Sequence, residues 1–441
     1  MLVSVNIENF KSLHKTHIEF SELTLIVGAN AYGKSSILQA IDFLTRSAER
    51  DFSDFLEKRN YEVSDIVSKF TSDQENRIRF VSDWDLDVNG VRRSLHWEQT
   101  IVCSVDENTM QLESEQIFDR ETDRPLLDFK GVRSRDSVAL DRDALLIYDV
   151  NGEKIRSYPA MTMGSSCIKI AVDTESKNDQ QIMPELIALK KFLMTSRSYD
   201  LLSPAEMRQS SRGVAKSIGS SGRDLPAYIK NLSETARTAL RDRLNSFIGD
   251  IVENVDTRSE SRAGWTRIET LEKYGNNRVI ISSKNMSDGT LRLLAFLSIL
   301  QSDEGPCLKL LDEIENGIGI NCAEKLLHLV SDVTRRKDRQ IIATTHSTVF
   351  MDYVEAKNIV LVRRNRETGL TETVKMLDIP GMEQRLEYLF PGEVLLNMSD
   401  RERTELKLAD EESSDTETVG EEISDMNSSE TEAEHTGACG S

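Results

Sequence analysis

Leu23-Thr-Leu-Ile-Val-Gly-Ala-Asn-Ala-Tyr-Gly-Lys-Ser-Ser36 decides the fold. Five residues of a buried strand end at Val27. A short turn then delivers Gly33-Lys34-Ser35 to the start of an amphipathic helix, with Ile37, Leu38, Ile41 and Leu44 at helical spacing. Gly28 and Gly33 supply the backbone freedom that such a turn needs. With few side chains in the way, successive N–H groups point inward and make a cradle for anions, and the helix dipole adds to the attraction. In this pattern Lys34 reaches the β- and γ-phosphates of a nucleotide and the Ser35 hydroxyl ligates magnesium. The loop is a Walker A element, and it predicts ATP and Mg2+ as cofactors.

A nucleotide loop needs acids at a neighbouring strand end. In Cys307-Leu-Lys-Leu-Leu-Asp-Glu-Ile-Glu-Asn-Gly317 a buried strand closes on Asp312-Glu313. Adjacent strand residues point to opposite sides, so the two carboxylates can divide the work. Asp312 is expected in the magnesium shell with Ser35, and Glu313 is expected to orient or deprotonate the attacking water. Gln340-Ile-Ile-Ala-Thr-Thr-His-Ser347 is a second short strand, ending at His346. A lone histidine is more often structural, but ligands of parallel sheets gather at the carboxyl ends of strands, so His346 is read as a γ-phosphate sensor. In Asn285-Met-Ser-Asp-Gly-Thr-Leu-Arg-Leu-Leu294, Ser287 fits an N-cap and Gly289 allows close approach at a second helix N-terminus suited to phosphate.

Outside these motifs, residues 2–9 and 17–20 read as strands, and 77–81, 95–105, 110–118 and 145–150 as an antiparallel meander with Asn89-Gly90 and Asn151-Gly152 turns. From 186 to about 252 the pattern turns helical, notably over 225–251. Strands at 306–311, 340–344 and 359–363 alternate with helices at 290–301 and 321–335, which implies a parallel sheet with right-handed crossovers. The expected organisation is an N-terminal lobe over 1–160, a mainly helical insertion over 161–275, a C-terminal lobe over 276–395 and a disordered tail over 408–441.

Composition sets limits. The 441 residues are 38% hydrophobic and 29% charged, with no apolar run long enough to cross a bilayer and no signal-peptide pattern in Met1-Leu-Val-Ser-Val-Asn-Ile7. The cysteines at 103, 167, 307, 322 and 439 are scattered and odd in number, which argues for a reducing, cytoplasmic setting and against a disulfide framework or a zinc site. Net charge is −20, but residues 410–434 hold eleven acids and no Lys or Arg, so the body carries only −9. That balance neither demands nor excludes DNA. The acid-rich tail has almost nothing to bury.

Taken together, the chain resembles the ABC-type ATPase heads of the SMC/RecF/OLD group, specifically their compact AAA-type subfamily without a TOPRIM domain. Residues 7–41 match that group's first motif, including Asn9-Phe10-Lys11-Ser12; residues 286–300 resemble its signature, 310–318 its Walker B and 340–354 its histidine switch. The resemblance implies an α/β fold: an ABC-type P-loop ATPase head with a mixed N-terminal β-subdomain and a parallel core sheet. It implies nucleotide contacts from Lys11, Gly28, Asn30, Gly33, Lys34, Ser35 and Ser36. It also implies that Ser287, Asp288 and Gly289 of one subunit cap the γ-phosphate held by another, in a homodimer or a higher even-numbered oligomer.

Departures qualify the match. Ala31 stands where the group usually has Gly, and Ser287-Asp-Gly-Thr290 replaces Ser-Gly-Gly-Gln, which points to slow hydrolysis. No glutamine of the usual Q-loop is found. Between Ser35 and Ser287 there is no zinc-hook cysteine pair and no long coiled coil. The resemblance extends to stand-alone ATPase subunits of anti-phage systems such as PARIS and Septu, which implies a sensor or scaffold controlling a separate effector, a nuclease. The alternative is a RecF-like DNA-binding repair ATPase. The basic pairs and runs at 92–93, 190–191 and 335–337 are short and separate.

Overall fold

The computed structural model describes residues 1–398 except 71–75, 132–142, 160, 200–202, 261–263, 302–306 and 336–338. The tail expected over 408–441 lies outside the described residues.

Two sheets carry the architecture. The first runs β2-β1-β4-β5-β6-β7-β8-β9, with β1 Leu2–Glu8, β2 Thr16–Glu19, β4 Arg77–Val88, β5 Val91–Ser104, β6 Thr109–Asp119, β7 Arg124–Lys130, β8 Asp143–Tyr148 and β9 Lys154–Pro159. All its pairings are antiparallel. Asn89-Gly90, both at positive φ, turn β4 into β5. β4 shows why this sheet forms: its residues alternate strictly between buried and partly exposed, with Ile78, Phe80, Trp84 and Leu86 inward.

The second sheet runs β10-β15-β16-β3-β17-β18, with β3 Leu23–Val27, β10 Arg197–Tyr199, β15 Cys307–Leu311, β16 Arg339–Thr345, β17 Ile359–Arg364 and β18 Thr371–Lys375. Its pairings are parallel except at the β17–β18 edge. Strands β3, β15 and β16 are buried on both faces, as crossover helices require. This is the parallel core sheet that the sequence implies, in a mixed α/β fold.

The core sheet separates two hydrophobic cores. Leu308, Leu310, Ile342 and Ile26 face one, with α1 (Lys34–Ser47), α2 (Phe52–Arg59), α3 (Val63–Ile66) and, from later in the chain, α4 (Ile168–Ala171), α5 (Lys177–Ile182) and α6 (Pro184–Thr195). Leu25, Val27, Leu311 and Ala343 face the other. There lie α7 (Pro204–Met207), α8 (Leu225–Asn231), α9 (Glu234–Ile248), α10 (Asp288–Gln301), α11 (Ala323–Thr334), α12 (Thr348–Met351), α13 (Met382–Leu386) and α14 (Pro391–Asn397).

The 161–275 span holds more than helices. β10 joins the core sheet, and β11 (Ser211–Arg212), β12 (Val252–Ser259) and β13 (Trp265–Tyr274) form a small antiparallel sheet to which β14 (Asn277–Ser282) adds. β13 buries Thr266, Ile268, Thr270 and Glu272 on one face. Only one of those four is aliphatic, so hydrophobic periodicity alone gives no strand there. In β12 a register shift between Val252 and Asn254 breaks the alternation. β7 and β9 also escape the sequence reading; β9 has no fully buried residue.

Candidate functional site

Parallel register brings the motifs to one edge. Val27 pairs with Thr345 and Ala343 with Leu311, so the phosphate loop, Asp312 and His346 leave three adjacent strands at the same end. The loop is shaped by close packing. A Cβ on Gly28 would lie 2.4 Å from Val362 O, and one on Gly33 would lie 2.2 Å from Thr371 Oγ1. Gly33 also sits at φ 103° at the N-cap of α1. Only glycine serves at either position. Ala31 takes φ 66°, a left-handed value that glycine adopts more easily. Arg364 Nη1 donates to Ala31 O at 3.1 Å and stacks on Phe70, bracing that residue.

Lys34 is the first residue of α1 and is buried. Its Nζ donates to Gly28 O at 2.8 Å and to Ala29 O at 3.0 Å, so the ammonium lies inside its own loop. Burial pushes its pKa down, while the carboxylates of Asp312, Glu315 and Glu313 oppose that shift. Ser35 and Ser36 follow, partly exposed; Asn30 and Ala29 are exposed at the loop's tip. Lys11 is placed differently from the loop residues. Its Nζ donates to Gln39 Oε1 at 2.6 Å and sits 4.2 Å from the Tyr61 ring centroid, one turn along α1 from Ser35.

At the end of β15, Thr344 ties the acid pair to the neighbouring strand. Its Oγ1 donates to Asp312 Oδ1 at 2.5 Å and accepts from Glu313 N at 2.8 Å. Glu313 holds φ 50°, a left-handed conformation for a long side chain. A magnesium site built from Ser35, Asp312 and substrate oxygens fits this donor set: hard oxygen ligands, with one carboxylate close to the loop. Bound there, the ion would supply charge neutralisation to the phosphates.

Sequence reasoning missed Glu315. Its Oε1 accepts from His346 N and lies 2.7 Å from His346 Nδ1. A carboxylate beside Nδ1 favours the tautomer protonated at that nitrogen. The third acid of Asp-Glu-Ile-Glu was the available signal, since a largely buried glutamate two residues past the acid pair needs a partner.

The signature residues lie on α10, on the other side of the core sheet from α1. Ser287 caps this helix, its Oγ accepting from Thr290 N at 3.0 Å, and Ser287 and Asp288 are exposed. The helix opens at Asp288, two residues before the expected Thr290. Arg208 donates to Met286 O and to Asp288, bracing the tip. A Cβ on Gly289 would lie 2.9 Å from Gly317 O, so the tip rests on the loop after β15. Among the described residues, no group of three or more His, Cys, Asp or Glu side chains is disposed to hold a metal, and no helix is long and apolar enough to cross a membrane.

The model of the AAA ATPase domain family matches residues 1–351. The chain belongs to the AAA ATPase domain family. This ATPase is 22% identical over 367 residues to a Helicobacter pylori protein named ATP/GTP phosphatase, a match covering 80% of the chain and 88% of that protein. Among solved structures, an SMC head bound to the C-winged helix domain of ScpA aligns with TM-score 0.48 at 14% identity, covering 85% of the ATPase and 96% of that chain. The SMC head domain from Thermotoga maritima aligns with TM-score 0.41 at 14% identity, covering 85% and 98%.

Proposed function

We propose that this ATPase works as a pair of subunits that share ATP sites and that it acts as the sensor or scaffold controlling a separate effector in bacterial anti-phage defence. The observation that carries the shared site is the separation of its parts within one chain. Lys34 begins a helix on one side of the core sheet, whereas Ser287 and Gly289 tip a helix on the other, with Ser287 exposed. A second subunit would supply the missing half. In this reading Lys34, Gly28, Asn30, Gly33 and Ser36 hold the phosphates, Ser35 and Asp312 hold magnesium, Glu313 activates water and His346 reads the γ-phosphate. Support for triphosphate hydrolysis comes from the family and from the Helicobacter pylori relative named ATP/GTP phosphatase. Control of an effector rests on the resemblance to stand-alone defence ATPases.

Mixing subunits tests the shared site. Ser287→Arg puts bulk against a partner's nucleotide and Lys34→Ala empties the variant's own loop, so each alone should be inactive. A mixed pair contains one site with intact Lys34 and intact Ser287 from different chains, and activity should return in part. If mixed pairs form and stay inactive, the shared site is wrong. For the defence role, cells carrying the ATPase with its neighbouring genes should resist phage, and Lys34→Ala should remove that resistance; unchanged resistance would refute an ATP-dependent sensor.

A further inference from the structure

Asn316 bridges the signature helix and the proposed base of its own chain. Arg292, in the second turn of α10, donates from Nη1 to Asn316 Oδ1. Asn316 Nδ2 donates in turn to Glu313 Oε2 at 3.2 Å, and its backbone N donates to Glu313 O at 2.9 Å. The polarity of this relay is forced: a guanidinium only donates and an ionised carboxylate only accepts, so the amide must turn its oxygen to Arg292 and its nitrogen to Glu313. Among the described residues, the other hydrogen bonds of Glu313 run through its backbone, which sits at φ 50° with its N–H on Thr344 Oγ1. Its carboxylate direction is therefore set by Asn316.

Packing leaves little slack. Gly317 lies at φ 73°, and a Cβ there would meet Arg292 Cδ at 2.6 Å, while Gly289 rests on Gly317 O. Any shift of the α10 tip must drag residues 316 and 317 with it. Arg292, Asn316 and Glu313 line the same small cleft.

We infer that Asn316, held by Arg292, is a positioning residue that carries the placement of the α10 tip to Glu313 in the same chain, so that capping a neighbour's nucleotide sets this chain's own base. The inference rests on the shared-site reading. It makes the two sites of a pair interdependent: each chain's base is aligned when that chain's Ser287 engages the other site.

Steady-state ATP turnover by the full-length protein, with binding of a fluorescent ATP analogue and thermal melting measured alongside, tests it. Asn316→Ala should lower kcat about tenfold while KM and analogue affinity stay within about twofold. Arg292→Ala should do the same, and the double variant should be no worse than Asn316→Ala, because both cut one relay. Asn316→Asp keeps the shape but replaces the amide donor that faces Glu313 with a second acceptor, so its kcat should fall as in Asn316→Ala while KM and melting temperature stay near wild type. A merely structural asparagine would not lower kcat while sparing KM and the melting temperature. In a Glu313→Gln background, Asn316→Ala should change nothing further. Additive losses, a KM change equal to the kcat change, or wild-type kcat in folded Asn316→Asp would overturn the inference. Failed rescue in mixed subunits with the Asn316 effects intact would remove only the intersubunit part, whereas normal rescue with additive losses would remove the relay and keep the shared site.

Discussion

Glu315 Oε1 takes two hydrogen-bonding contacts from one residue, the backbone N and the ring Nδ1 of His346, each at 2.7 Å. The two residues leave neighbouring strands, so the carboxylate both closes the gap between strand ends and chooses the imidazole tautomer. Glu315→Ala should free the ring to rotate and lower kcat about tenfold, with KM nearly unchanged. Glu315→Gln keeps an acceptor for Nδ1–H and should retain most activity. Equal losses in the two variants would mean that the charge, rather than the orientation, matters.

Lys34 occupies its own loop at an electrostatic cost, since burial disfavours its charged form. Lys34→Ala should weaken ATP binding about a hundredfold, measured by calorimetry. The nucleotide-free melting temperature should fall by no more than about 2 °C, because Gly28 and Ala29 carbonyls near the surface can turn to water. Wild-type affinity in this variant would refute the loop assignment.

Glu313→Gln preserves size and the contact with Asn316 while removing the proposed base. ATP should still bind, phosphate release should drop about a hundredfold or more, and paired subunits should accumulate in light scattering with ATP. Unchanged phosphate release would move the catalytic role elsewhere, with His346 the first residue to test.

The antiparallel sheet carries a pH-sensitive contact of its own. His96 on β5 faces Asp83 on β4, with Nδ1 2.7 Å from Oδ1, and that hydrogen bond, with help from Glu98 and against burial, raises the His96 pKa. A raised folded value stabilises the charged form. Its contribution is complete below about pH 6.5, the ordinary histidine value, and is lost as pH rises through the folded value. The melting-temperature gap between wild type and His96→Gln should therefore be widest near pH 6 and shrink toward alkaline pH. A gap independent of pH would assign the contact a neutral role.

The site's strand ends were legible because their chemistry is local. A glycine turn, an acid pair and a terminal histidine each sit within a few residues of an apolar run, so one window contains the whole signal. Glu315 and Asn316 were not read as functional, although they adjoin Asp312-Glu313. Their partners, His346 and Arg292, come from other elements, and spacing along the chain does not reveal such pairs. Glu115 is a similar case in the β-lobe. It lies in a stretch correctly read as a strand, yet its carboxylate is buried and accepts from Trp97 Nε1 at 2.8 Å, Ser166 Oγ at 2.6 Å and Cys167 N at 2.6 Å. Burial pushes its pKa up. β13 was missed for the opposite reason: two threonines and a glutamate take three of the four positions on its inner face, where aliphatic residues were sought.

The placement of β3 between β16 and β17 has a consequence for biosynthesis. Leu2 N donates to Gln340 Oε1 across 338 residues of chain, and Gly33 packs against Thr371 from the last strand of the core sheet. Closing contacts of that separation is slow, whereas the β4–β5 hairpin needs only its Asn-Gly turn. On a ribosome the phosphate loop therefore emerges well before β16, β17 and β18, which supply its walls. Until β16 to β18 are out, the nascent Gly-Lys-Ser turn lacks the Val362 and Thr371 packing that shapes it in the folded chain.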